Sequence, residues 1–235
     1  PRLELREIEL GDGSLPDTDE YQLIVDASEA ALINDIQSLT KEITARKVGI
    51  LKAGDLKACI FGPHLYEPVL HVAKASKVQI APVSLNESEF QFLADLRKYV
   101  EAEKTKLADE GIELFLLRNE SRGRGVGFFE AGNFYPDFLL WLVKDGKQHL
   151  AFVEPHGLQH EGPSHKKIEF YQVIKDIQAR LASENVVLNS FIVTPTRFGK
   201  LNWGKTIQEL EEMHVLFMED GADSYISKIV LEMYH

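Results

Sequence analysis

The chain has 235 residues, of which 44% are hydrophobic and 27% are charged. This composition excludes a disordered chain, collagen or an integral membrane protein. The formal net charge of −11 disfavours tight DNA binding by the chain alone, because its acidic surface repels phosphates. A single cysteine, Cys59, cannot form an internal disulfide, and no apolar run is long enough to span a bilayer. We therefore expect a cytoplasmic protein.

The first third of the chain has the pattern of a small mixed α/β domain. Apolar residues between Leu3 and Leu10 predict a strand immediately after Pro1, so we expect a piece of a longer polypeptide. Asp26 and Glu29 have capping-box spacing and predict a helix from this point through Ile43. Short apolar segments predict strands at residues 48–51, 58–61 and 69–72.

The turn-like segment at residues 82–86 predicts a domain boundary at about residue 83. We therefore expect a connector domain at residues 1–83 and a larger domain at residues 84–235. In the larger domain, Asn86 and Glu89 have capping-box spacing, and the helix they begin is predicted to reach Gly111. Glu89 also shares the apolar stripe of this helix. It is either a rim residue or a ligand aimed into a site.

The remaining elements alternate between strands and helices, which predicts an α/β fold. From residue 86 the order is helix, three strands, helix and strand, followed by additions. The glycine-rich segment at residues 123–127 predicts a hairpin connection, because a phosphate-binding loop requires a helix after it. The predicted strands lie at residues 112–117, 138–143, 148–153, 186–193 and 214–218, and the helices at 166–183, 206–213 and 222–234.

Two carboxylates are expected at one end of this sheet. Asp137 follows Pro136 where a strand begins, and Glu154 ends the next strand after the tight turn at residues 144–147. If the two strands pair antiparallel, both carboxylates reach the same edge. Two hard oxygen ligands at one point suit Mg²⁺, whose charge offsets their mutual repulsion.

These motifs resemble those of a known nuclease superfamily. Pro136-Asp137 and Glu154-Pro155-His156, within the predicted order of elements, resemble the PD-(D/E)XK nuclease superfamily. More specifically, the chain is similar to the C-terminal endonuclease region of type III restriction enzyme helicase-nuclease subunits. The segments that carry this resemblance are residues 64–68, 82–86, 135–141 and 152–155.

The resemblance implies a restriction-endonuclease-like core and a metal-dependent DNA endonuclease. Asp137, Glu154 and the backbone carbonyl of Pro155 would bind Mg²⁺, with Mn²⁺ as a substitute, and Glu89 would be an outer-shell or direct ligand. A metal-activated water would attack a DNA phosphodiester. The implied partners are DNA, a superfamily 2 helicase motor in the same or parent polypeptide, and a methyltransferase or specificity subunit.

The chain departs from the family pattern at His156, where the family has a lysine. Three interpretations follow: His156 substitutes as a base or metal ligand, the lysine role has moved to the following helix at Lys175 or Lys166, or cleavage has been lost. In the last case the chain is a silent nuclease fold that docks DNA or protein. A zinc site at His156, His160 and His165 is disfavoured, because Gly157, Gly162 and Pro163 prevent one-face helical spacing.

Overall fold

The structure, a computed structural model, is a mixed α/β fold. Several of the predicted features lie outside the described residues: the strand at residues 3–10, the segments 64–68 and 82–83, and most of the glycine-rich connection. Among the described residues, no helix has the length and apolar character needed to cross a lipid bilayer. The described residues are 21–45, 47–60, 62, 69–73, 76–81, 84–119, 126–128, 134–181 and 183–234.

The chain divides into two compact units, one up to Phe90 and one from Gln91. The division falls within one helix, α2, which spans Glu87–Ala102. The predicted boundary at residue 83 lies shortly before this helix begins.

The first unit contains one helix and two small antiparallel sheets. Helix α1, Ala30–Thr44, packs its buried residues Ile36 and Leu39 into a core shared with the strands. Strand β1 pairs with β5, and β2, β3 and β4 form a three-stranded sheet. These strands are β1 (Gln22–Val25), β2 (Gly49–Ala53), β3 (Leu56–Ile60), β4 (Val69–Val72) and β5 (Val78–Ala81).

The predicted cap of α1 is wrong. The Asp26 carboxylate accepts hydrogen bonds from the backbone N–H and the hydroxyl of Ser28, at 2.8 and 2.7 Å. It is therefore engaged in a local turn, and the helix begins at Ala30 with Glu29 in the cap position and no side-chain cap. This competition between local side-chain bonds and helix capping is common for aspartate. By contrast, Asn86 and Glu89 form their predicted capping box.

The second unit contains a five-stranded sheet of order β10-β9-β8-β7-β6. Strands β6, β7 and β8 pair antiparallel, and β8, β9 and β10 pair parallel. The single helix predicted to reach Gly111 is interrupted at Glu103 and continues as α3, Lys104–Asp109. The other elements are β6 (Glu113–Arg118), β7 (Phe138–Lys144), β8 (Lys147–Pro155), α4 (Lys166–Leu181), β9 (Val186–Thr194), α5 (Ile207–Glu212), β10 (Val215–Phe217) and α6 (Ala222–Tyr234).

Helices cover both faces of this sheet. On one face, Phe170 and Ile174 of α4 pack against Leu139, Phe152 and Leu188. Alternate residues of each strand point to the other face. There the ring of Phe92 in α2 packs against the ring of Phe138, with 5.2 Å between the ring centres. A further apolar cluster packs beside strands β9 and β10. Its buried residues are Leu158, Ile168, Ile192, Leu210, Val215 and Phe217. Residues at the strand ends are therefore held from both sides.

Candidate active site

The two predicted carboxylate residues lie together at one edge of the sheet. Strand β7 pairs with β8 so that Phe138 is opposite Val153, which places Asp137 opposite Glu154. The backbone N–H of Asp137 donates to Glu154 Oε2 at 3.2 Å. Residues opposite each other on paired strands point to the same face. The expected convergence of these two residues is therefore present in the structure.

Glu154 is buried and forms an ion pair with a lysine. Only 3% of Glu154 is exposed, and Lys167 Nζ lies 2.5 Å from its Oε1 atom. The same ammonium lies 5.8 Å from the centre of the Phe134 ring. A buried carboxylate requires a compensating charge or hydrogen bonds, and Lys167 and the Asp137 N–H supply both.

Lys167 is not among the site residues predicted from the sequence. The sequence does contain a signal for it. Phe170 and Ile174 are fully buried, and they follow Lys167 by three and seven positions. Residues at these spacings share one face of a helix. Lys167 therefore lies on the buried side of α4, whereas Lys166 is exposed.

Lys175 lies at a different part of the sheet. Its ammonium donates to the backbone carbonyl of Leu188 at 2.8 Å and to Asn189 Oδ1 at 2.5 Å. Leu188 pairs with Leu150, four residues before Glu154, which is about 13 Å along the strand. Burial lowers the pKa of Lys175, and the Glu232 carboxylate opposes this shift. The structure does not bring Lys175 to the Asp137–Glu154 pair.

The contacts of Lys175 instead cover an open part of strand β9. Strand β10 pairs only with Ile192–Thr194, so among the described strands none pairs with β9 on that side at Leu188. There the Leu188 N–H donates to Gln178 Oε1 at 2.7 Å, and Lys175 binds the Leu188 carbonyl. Two side chains of α4 thus satisfy both backbone groups of Leu188, as a neighbouring strand would.

The His156 imidazole contacts a loop carboxylate. Its Nε2 lies 3.4 Å from Glu161 Oε1, and His165 Nε2 lies 3.2 Å from Glu161 Oε2. The backbone N–H of His156 donates to the Val193 carbonyl at 3.0 Å, which extends the β8–β9 pairing beyond Pro155. His156 is therefore held between the end of β8 and the loop before α4.

The two remaining predicted ligands have defined places. Pro155 is buried at the end of β8, opposite Val193. Glu89 belongs to the first unit, where its carboxylate accepts the backbone N–H of Asn86 at 3.0 Å. Glu89 thus has a capping role.

The donor chemistry of the edge suits a hard cation. Asp137, Glu154 and the Pro155 carbonyl provide oxygen ligands, and proteins commonly hold Mg²⁺ through one or two carboxylates. In the described part of the chain, no group of three or more His, Cys, Asp or Glu residues could hold a metal ion. Any metal bound here would therefore have two acidic side chains, Asp137 and Glu154, as its ligands.

Comparison of the chain with protein-family models, with curated proteins and with solved structures gave no match. The Asp137–Glu154–Lys167 geometry and the sequence motifs are therefore the observations that bear on function.

Proposed function

We propose that the chain is a metal-dependent DNA endonuclease module with a restriction-endonuclease-like core. The observation that carries the proposal is the meeting of Asp137, Glu154 and Lys167 at one sheet edge. Two acids at the ends of paired strands, with a lysine on the following helix, correspond to the set that the PD-(D/E)XK resemblance implies, except that the lysine has moved from the strand to the helix. The order of elements, helix, three strands, helix and strand, is consistent with that resemblance.

Asp137, Glu154 and the Pro155 carbonyl are the residues that would hold Mg²⁺ or Mn²⁺. A bound divalent cation would polarise a phosphate oxygen and lower the pKa of a coordinated water. The protein contributes the arrangement of the ligands, since the β7–β8 register fixes Asp137 against Glu154. The Asp137 N–H further holds the Glu154 carboxylate in place.

Lys167 is the residue that we assign to the role of the family's lysine. It provides a permanent cation beside Glu154, whereas His156 carries a charge only when protonated. This assignment keeps the interpretation that the lysine role moved to the following helix, but it selects Lys167 over Lys166 and Lys175. Of these three lysines, Lys167 is the one whose ammonium contacts Glu154 in the structure.

The proposed partners follow from the same assignment. A chain with a formal net charge of −11 benefits from a motor that delivers DNA, since its overall field repels the substrate. The resemblance to type III restriction enzymes implies such a motor, of superfamily 2, together with a methyltransferase or specificity subunit, and we propose both as partners.

A plasmid-nicking assay with Mg²⁺ and with Mn²⁺ tests the proposal. We expect the wild-type chain to nick and Asp137→Asn to lose activity on the order of 100-fold or more, because even groups outside the ligand shell alter metal sites by 10–100-fold. Asp176→Asn, an exposed position on α4, is the matched control and should nick like the wild type. Undiminished nicking by Asp137→Asn would remove the assignment.

The second candidate is a silent nuclease fold that docks DNA or protein. It is favoured by the contacts of Glu154, because Lys167 and the Asp137 N–H already engage its two oxygen atoms. Titration calorimetry with Mn²⁺ separates the candidates. A nuclease should bind Mn²⁺ in a manner lost in Asp137→Asn, whereas a silent fold should show no Mn²⁺ binding that depends on Asp137.

A further inference from the structure

Two loops extend from the sheet edge that carries Asp137 and Glu154. The first loop, residues 156–165, follows β8, and the second loop, residues 195–206, follows β9. Strands β8 and β9 are parallel, so both loops leave the sheet at the same edge. The second loop starts three residues beyond Ile192, the partner of Glu154. That is about 10 Å along the strand, or about three nucleotides of one DNA strand.

The second loop is basic in an acidic chain. It contains Arg197, Lys200 and Lys205 and no Asp or Glu, although the whole chain has a formal net charge of −11. Arg197 and Lys200 are exposed, and Lys205 is half-buried. We call residues 195–206 the basic loop.

Hydrogen bonds fix the basic loop to the first loop. The Trp203 indole N–H donates to the Glu161 carbonyl at 2.9 Å. The Leu158 N–H donates to Thr196 Oγ1, also at 2.9 Å. In addition, Phe198, Leu201 and Trp203 pack against the apolar cluster at the end of the sheet. The three cations are therefore presented from a loop whose backbone is held against the body of the unit.

Two carboxylates that interact with these cations, Glu219 and Glu209, also accept hydrogen bonds from backbone amides. Glu219 accepts the Phe198 N–H at 2.7 Å and lies 4.0 Å from Arg197 Nε. Glu209 accepts the Thr206 N–H at 2.7 Å, and these bonds with Thr206 lower the pKa of Glu209. Exposed ion pairs at such distances are weak, so a phosphate can replace the carboxylate beside Arg197.

We infer that the basic loop binds the phosphate backbone of duplex DNA beside the Asp137–Glu154 edge, through Arg197, Lys200 and Lys205. This inference rests on the proposed function and names the surface that positions its substrate. The basic loop is then a positive patch that offsets the repulsion between this acidic chain and DNA. Contacts to phosphates supply binding affinity but carry no sequence specificity.

The test compares two triple variants that remove the same charge. The first is Arg197→Ala with Lys200→Ala and Lys205→Ala. The control is Lys104→Ala with Lys106→Ala and Lys147→Ala, which are exposed residues on α3 and at the β7–β8 turn. That turn lies at the opposite ends of β7 and β8 from Asp137 and Glu154. Thermal melting first establishes that both variants fold.

Binding is measured by the anisotropy of a labelled duplex of about 30 base pairs, in Ca²⁺ and over about 25–200 mM KCl, a range in which counterion release dominates. Each phosphate contact contributes about 0.9 to the slope of log K against log salt concentration. We expect the slope of the loop variant to fall by up to about 2.7, and the control to keep the wild-type slope.

Three results would overturn the inference. An unchanged slope in the loop variant, with normal nicking by the wild type, would reject the loop and leave the proposed nuclease in place. An equal decrease of the slope in the loop variant and in the control would show that the effect comes from net charge and not from the basic loop. Absence of duplex binding by the wild type at the lowest salt would reject the loop and weaken the proposed function as well. By contrast, duplex binding retained by Asp137→Asn without nicking supports the inference, because DNA is then held by residues other than the proposed metal ligand.

Discussion

Replacing Lys167 by methionine should destabilise the second unit, because it leaves the Glu154 carboxylate buried without its cation. The side chain of Glu154 is 4% exposed and that of Lys167 is 31% exposed. Removing one partner of a fully buried ion pair costs about 3–5 kcal/mol. Water reaches the ammonium here, and the Asp137 N–H still binds the carboxylate, so we expect a loss of about 2–3 kcal/mol in the free energy of unfolding.

Urea unfolding followed by circular dichroism measures this loss. For a unit of this size, a loss of about 2–3 kcal/mol corresponds to a decrease of roughly 4–12 °C in the melting temperature. Lys166→Met is the matched control, since Lys166 is the preceding residue of the same helix and is exposed. The control should change the free energy of unfolding by less than about 0.5 kcal/mol.

A double variant shows whether the cost arises from the unpaired charge. Glu154→Gln combined with Lys167→Met removes both charges and keeps the shapes of the side chains. We expect it to recover more than half of the stability lost in Lys167→Met, because no buried charge is left unpaired. A Lys167→Met protein that unfolds at the wild-type urea concentration would refute the reasoning, as would a double variant less stable than the single one.

Two further predictions concern the edge of strand β9. Gln178→Ala should lower the free energy of unfolding by about 1–2 kcal/mol in urea unfolding, because the Leu188 N–H loses its acceptor; an exposed-site change of equal size, Gln172→Ala, should have little effect. Burial lowers the pKa of His214 below its ordinary value, against the opposing effects of the Ser190 carbonyl and the Glu232 carboxylate. Below about pH 6.5 the unfolded chain therefore takes up a proton that the folded state resists, and wild-type stability should fall as pH decreases from there. His214→Asn, which tolerates the positive φ of 56°, should show a smaller decrease between pH 7 and pH 5; an identical pH dependence would contradict this prediction.

The sequence predicted most of the second unit because its elements carry strong local signals. The helix at residues 222–234 coincides with α6, and the strand expected at residues 186–193 is extended in β9 by one residue. Continuous apolar runs and clear turn residues define such elements without reference to the rest of the chain. The meeting of Asp137 and Glu154 followed from the same signals, since a tight turn between two strands fixes their register.

Other features depend on contacts that are distant in sequence. Strands β1 and β5 have four residues each and pair across more than 50 residues, so neither has a pattern long enough to be recognised alone. Similarly, the contact between Lys167 and Glu154 depends on the packing of α4 against the sheet, although the helical spacing of Lys167 to Phe170 indicates the buried side of the helix. Asp26 shows a different limit, because its carboxylate could either cap α1 or bind Ser28. Capping-box spacing alone does not show which of these two local interactions is more stable.

The Lys167–Glu154 pair bears on both candidate functions. In a nuclease, Glu154 must share its oxygen atoms between the ammonium and a divalent cation, so the lysine has to remain close while the carboxylate binds metal. In a silent fold, the ammonium is itself the cation that balances the two acids, and Lys167→Met would create the vacancy that a metal fills. Mn²⁺ should then stabilise the Lys167→Met protein but not the wild type, by mass action on the folded state. Stabilisation of the wild type by Mn²⁺ that disappears in Asp137→Asn instead favours the nuclease, because the metal then binds beside an intact lysine.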